Sequence, residues 1–129
     1  MKIINACYSI ETPIDGAEIL KRIEKAGRTC YKSEDRITDE SAKSFVKKLI
    51  ERGHESVLEH ESITVRFVCD RGISHEIVRH RLASYSQESQ RYVRYNGDIE
   101  FINPRMPNAK AYEAWQELCE RAEETYKEL

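Results

Sequence analysis

No stretch of this chain approaches the roughly 20 consecutive apolar residues that a membrane-spanning helix needs. The opening Met1-Lys2-Ile3-Ile4-Asn5-Ala6-Cys7 is likewise too short an apolar run for a secretory signal, so a cytoplasmic protein with no membrane partner is expected. Glycine and proline are scarce, five and three in 129 residues, and with 34% charged and 40% apolar residues this fits a helical or mixed globular domain and not a disordered tract. Cys7, Cys30, Cys69 and Cys119 are far apart and form no CxxC pair, which argues against a zinc ribbon or a disulfide framework and for reduced thiols. No Walker or GxGxxG loop and no Gly-x-Ser-x-Gly elbow occurs. His75 and His80 lie five apart, about 140° off by the helical period, so they do not make an HExxH-type zinc face, and no metal is expected.

What is present is periodicity. Residues 2 to 9 read as a short opening strand. Asp15 and Glu18 have capping-box spacing, and Ile19, Leu20, Ile23 and Ala26 follow at helical intervals as far as Gly27. Residues 28 to 36 show no period and are expected as a loop. Thr38 is the expected N-cap of a second helix whose apolar stripe is Ala42, Phe45, Val46, Leu49 and Ile50, ending near Gly53. Ile63, Val65 and Phe67 alternate with polar residues, the pattern of a half-buried strand. A helix from Gly72 then carries His75, Ile77, Val78 and Leu82 and places Arg79, His80 and Arg81 on its last turn, where the dipole tolerates cations. Arg91–Tyr95 and Ile99–Ile102 flank Asn96-Gly97 and predict a hairpin. From Asn108 an amphipathic helix runs through Tyr112, Trp115, Leu118, Ala122, Tyr126 and Leu129. The expected whole is a single α/β (α+β) domain over 1–129, with helices on a small mixed or antiparallel sheet. The last stripe still repeats at Leu129, which reads as truncation after a helix at about 108–129.

Charge is distributed unevenly. Between Arg71 and Tyr95 there are five arginines and no lysine against Glu76 and Glu88, a local +3 in a chain of net charge −2. Within it, Arg79, Arg81 and Arg91 offer planar forks of donors, and Ser84, Ser86 and Ser89 add neutral ones. A solvated, salt-bridged helix face would mix Lys with Arg and favour strong helix formers. Here Ser84–Gln90 is polar loop punctuation instead, so a site for a phosphate-bearing ligand is the reading that remains.

The string Arg79-His80-Arg81, Ser84, Ser89, Arg91, Tyr92 resembles the signature of the flavin-dependent thymidylate synthases, the ThyX family. Gly53-His54-Glu55-Ser56 with Glu59-His60, and Gly27-Arg28-Thr29-Cys30-Tyr31, resemble the same family in the same order. The resemblance implies an α/β fold of the ThyX type, assembled as a homotetramer. It implies an enzyme that makes dTMP from the small-molecule substrate dUMP with FAD as cofactor and NADPH and methylenetetrahydrofolate as co-substrates. Carried over by position, Ser56, Arg79, His80, Arg81 and Gln87 would bind FAD, Ser56 from another subunit. Glu76, Ile77, Val78, Arg79, Gln87, Glu88, Ser89, Gln90 and Arg91 would bind dUMP, Glu76 and Arg79 from a neighbouring chain. Cys30 stands where the family has a serine that can contact flavin. No catalytic residue is assigned, because the arginine proposed to ionise the pyrimidine lies beyond Leu129 in family chains, with the rest of the C-terminal part of the fold. The resemblance implies an N-terminal part of the enzyme, or else a truncated subunit that binds nucleotide or flavin without turnover. A nucleic-acid module using Arg79, Arg81, Arg91 and Arg94 with Tyr85, Tyr92 and Tyr95 fits less well, since the chain is acidic overall and a long polyanion usually recruits a broad basic surface.

Overall fold

The computed structural model describes residues 1–129. They form a mixed α/β structure with two compact units, residues 9–66 and residues 1–8 with 67–129.

In the first unit, α1 (Gly16–Tyr31) opens on Asp15, whose carboxylate accepts the N–H groups of Ala17 and Glu18 at 2.9 and 3.2 Å. The helix does not stop at Gly27. It runs four residues further, so the expected loop from Arg28 begins as helix, and the reason is packing. A Cβ on Gly27 would lie 2.7 Å from Phe45 Cε1 and 3.2 Å from Val57 Cγ1, so glycine sits here for close approach and not to end the helix. The helix ends at Lys32, which adopts the left-handed region (φ 48) and returns its N–H to the carbonyls of Arg28 and Thr29. A 3-10 turn over Glu34–Arg36 follows.

α2 (Ser41–Glu51) starts later than the Thr38 cap predicts. The Thr38 N–H is itself bound, donating to Ser41 Oγ at 2.9 Å. At its end Gly53 takes φ 67, and the N–H groups of Gly53 and His54 satisfy the carbonyls of Ile50 and Leu49. Ala42, Val46 and Leu49 are buried as the stripe predicts, whereas Ile50 is exposed. The core joins Ile23, Val46, Leu49 and Val57, the last from a 3-10 helix over Glu55–His60, with Ile19, Leu20, Phe45 and Leu58 packed around it. Each such burial contributes about 1.5–3 kcal/mol.

β2 (Cys7–Ile10) and β3 (Val65–Val68) form a two-stranded sheet. The opening strand is thus divided, with β1 restricted to Lys2–Ile4. In β3 the expected alternation is incomplete: Val65 is half-buried, but Ile63 and Phe67 remain exposed.

In the second unit β1 pairs in parallel with β4 (Glu100–Ile102), Ile3 against Phe101 and Ile4 against Ile102. This overturns the hairpin. Residues 91–95 are not a strand, and β4 finds its partner at the start of the chain instead of across Asn96-Gly97. α3 (Arg71–Ile77) is capped by Asp70, which accepts the Ile73 N–H at 3.0 Å. α4 (Ala109–Glu128) is capped by Asn108, which accepts the Ala111 N–H at 2.9 Å. Its buried face is not the one the stripe predicts. Cys119 and Glu123 are buried, with Tyr112 and Trp115 half-buried, while Leu118 is exposed.

Glu123 explains that rotation. One carboxylate oxygen accepts the Ile99 N–H at 2.6 Å, and the other meets the Met1 ammonium at 2.7 Å, so a charged residue holds both β1 and the lead into β4. The Met1 ammonium and the Ile99 N–H hold its carboxyl far below the ordinary 4.5, at about 2. A depressed carboxylate stabilises the fold above its unfolded value, and that stability is lost as pH falls from about 4.5 through about 2. Urea midpoints should therefore drop across that window, and Glu123→Gln should flatten the drop. An unaltered pH profile in the variant would remove Glu123 from this role.

Candidate functional site

The arginine-rich segment lies wholly within the second unit. α3 supplies its base, since Asp70 fixes the helix start and Ser74 and Ile77 face inward, half-buried. The helix ends earlier than predicted. Val78 is the C-cap, and the N–H groups of Arg79 and His80 reach back only three residues, to the carbonyls of Glu76 and Ile77 at 3.2 and 3.1 Å. Arg79, His80 and Arg81 consequently stand just past the C-terminus, still near its partial negative charge. Leu82, expected on the same helix, is fully exposed.

From His80 to Tyr95 the backbone has no regular element, and side chains tie it down. The Tyr85 hydroxyl donates to the His80 carbonyl at 2.9 Å. Gln87 Nε2 donates to Ser74 Oγ at 2.6 Å, joining the loop to α3. The Tyr95 hydroxyl donates to the Glu88 carboxylate, and that bond, with burial, raises the Tyr95 phenol above its usual range. Ser89, half-buried, accepts the Arg91 N–H on Oγ at 3.3 Å and the Val93 N–H on its carbonyl at 3.1 Å.

The predicted residues thus divide by what already engages them. Glu76 and Arg79 face each other at 3.5 Å, both about three-quarters exposed, an ion pair of at most about 1 kcal/mol that a ligand anion could replace. Ile77 and Val78 are half-buried. Gln87, Glu88 and Ser89 hold the loop together. Gln90, Arg81 and Arg91 are exposed, and neither guanidinium has a carboxylate partner. Ser56 is exposed on the 3-10 helix of the other unit. Ser74, Tyr85 and Tyr95 are positioning residues that the motif did not single out. A serine three residues into a helix and tyrosines scattered in a loop carry no local signature of these contacts.

Two unpaired guanidiniums, a third in a weak pair and a fixed serine make a donor set suited to phosphate oxygens, so the residues present fit a dinucleotide cofactor or a nucleotide. The family model described as thymidylate synthase complementing protein matches residues 14–129, the entire segment included. The chain belongs to that family. Three of its relatives are named flavin-dependent thymidylate synthase. That of Geobacter sulfurreducens is 44% identical over 57% of this chain and 34% of its own length. That of Thermococcus onnurineus is 38% identical over 72% and 42%, and that of Mycobacterium bovis 37% over 92% and 48%. The chain spans less than half the length of each of these relatives. No solved structure matches it.

Proposed function

We propose that this chain carries the flavin- and nucleotide-binding segment of a flavin-dependent thymidylate synthase, which converts dUMP to dTMP with FAD, NADPH and methylenetetrahydrofolate. The observation that carries it is the Arg79-His80-Arg81…Ser89…Arg91 string, displayed on an exposed loop with the guanidiniums of Arg81 and Arg91 unpaired, in a chain of this family. Arg79, His80, Arg81 and Ser56 hold FAD, and Gln87 stands between cofactor and nucleotide. Glu76, Ile77, Val78, Arg79, Glu88, Ser89, Gln90 and Arg91 receive dUMP. FAD, when bound, would supply the redox chemistry. The residues of this chain hold and orient the nucleotide, and no thiol of the chain adds to the ring. Burial pushes the Cys69 and Cys119 thiols above their usual range, in keeping with that route.

The working protein is a cytoplasmic homotetramer in which Ser56 and the Glu76–Arg79 pair serve sites shared between chains. Exposed Ile73, Leu82 and Tyr92, on and beside the arginine segment, support such an assembly, since apolar surface at a site marks an interaction face. No helix is long and apolar enough to cross a membrane.

Arg81→Lys keeps the charge and loses the planar fork. The full-length protein carrying it should purify with clearly less FAD than the parent, measured by flavin absorbance per protein. Equal flavin content would remove Arg81 from the cofactor site.

A further inference from the structure

A second cationic site lies in the first unit. A groove of about 430 Å³ runs between the end of α1, the 3-10 turn and α2, with Arg28, Lys32, Arg36, Lys48 and Arg52 on its walls and Asp35 as its one carboxylate. Arg28 is already committed: it donates to Glu24 at 2.7 and 3.0 Å and lies 4.3 Å above the Phe45 ring. The other four cations form no ion pair, although this unit pairs Lys21, Arg22, Lys47 and Arg66 with carboxylates elsewhere. Four like charges facing one concavity repel, and a bound anion is the simplest relief.

The backbone fixes this arrangement. Lys32 is the only residue other than glycine with positive φ, where asparagine or glycine would be cheaper, and it is held by its N–H bonds to Arg28 and Thr29. Ser33 behind it is buried and donates its N–H to the Arg28 carbonyl at 3.1 Å. Lys48 and Arg52 are one turn apart, on the last turn and the C-cap of α2. Tyr31 adds an aromatic wall, its ring stacked with His54 and its hydroxyl 2.8 Å from His54 Nδ1.

We infer that this groove binds a diphosphate-bearing small molecule, independently of the arginine segment in residues 76–91. The cations line more than one wall, so two linked phosphates can engage both, whereas one orthophosphate would leave part of the charge unmet. The confined groove and the acidic chain around it favour a compact anion over a polynucleotide, which would need a broad basic face.

Calorimetry on the full-length protein with pyrophosphate, ADP, orthophosphate and a single-stranded oligonucleotide tests this. Pyrophosphate or ADP should bind more tightly than orthophosphate, and affinity should fall at least tenfold in Lys48→Gln/Arg52→Gln. It should be unchanged in Lys43→Gln/Lys47→Gln on the same helix, and in the parent protein whose arginine segment has first been filled with FAD and dUMP. Both pairs are exposed, and circular dichroism checks that each variant folds. ADP binding above pyrophosphate identifies a nucleotide as the source of the diphosphate, and equal binding identifies the free anion. Absence of diphosphate binding, or its loss once FAD and dUMP fill the arginine segment, overturns the inference, as does oligonucleotide binding that exceeds both and depends on Lys48 and Arg52.

Discussion

Glu24→Ala is expected to lower the stability of the chain by about 2–4 kcal/mol, the largest effect of any single side chain in its first unit. Glu24 is 1% exposed, the most deeply buried side chain in the protein. One carboxylate oxygen accepts both Nε and Nη2 of Arg28, and the other lies 2.8 Å from Ser41 Oγ, so a single residue clamps α1 to the start of α2. Removing it strands the Arg28 guanidinium, itself only 13% exposed, without its counter-charge, while the Ser41 hydroxyl keeps the Thr38 carbonyl at 3.0 Å as its acceptor. Breaking one side of a buried pair costs more than the pair contributes, because the remaining charge keeps its desolvation penalty. Glu24→Gln retains one acceptor and should cost less. Urea denaturation followed by helicity measures both; a midpoint for Glu24→Ala equal to the parent's would show that Arg28 finds water or another partner.

Arg91→Ala should weaken dUMP binding by about 1.5–3 kcal/mol, the range for losing a charge-assisted contact, and leave the fold intact. The side chain is exposed and has no carboxylate partner, so no structural ion pair is lost with it. Its backbone N–H still reaches Ser89 Oγ, so the loop keeps its local tie. Calorimetry with dUMP on the flavin-loaded, full-length protein gives the number. Undiminished affinity would take Arg91 out of the nucleotide site, and loss of helicity would make it a structural residue.

The sequence was most legible where periodicity and capping act locally. The starts of α1 and α4 and the buried stripe of α2 follow from Asp15, Asn108 and the Ala42, Val46, Leu49 spacing, because hydrogen bonds between near neighbours fix them. It misled where a distant contact decides. Gly27 looks like a helix stop until Phe45 is known to press on it, and Asn96-Gly97 looks like a hairpin turn until β1 is seen to take the place of residues 91–95. The face of α4 was misjudged for the same reason, since no periodicity anticipates Glu123 turning inward to meet Met1 and Ile99. At the candidate site the reactive-looking types, Arg79, His80, Arg81 and Arg91, were visible as a charge cluster. Their supports, Ser74 under Gln87, Tyr85 under His80 and Tyr95 against Glu88, exist only once the loop is folded.

We propose that this chain serves thymidylate synthesis through a flavin and not through a cysteine nucleophile. This is tested most directly by mass detection of dTMP from dUMP, using the full-length protein with methylenetetrahydrofolate and NADPH, with FAD supplied or stripped. The account predicts dTMP formation that requires FAD and persists when Cys7, Cys30, Cys69 and Cys119 are replaced by alanine or serine in a variant that still folds; dTMP formation without flavin, or none with every component present, would contradict it.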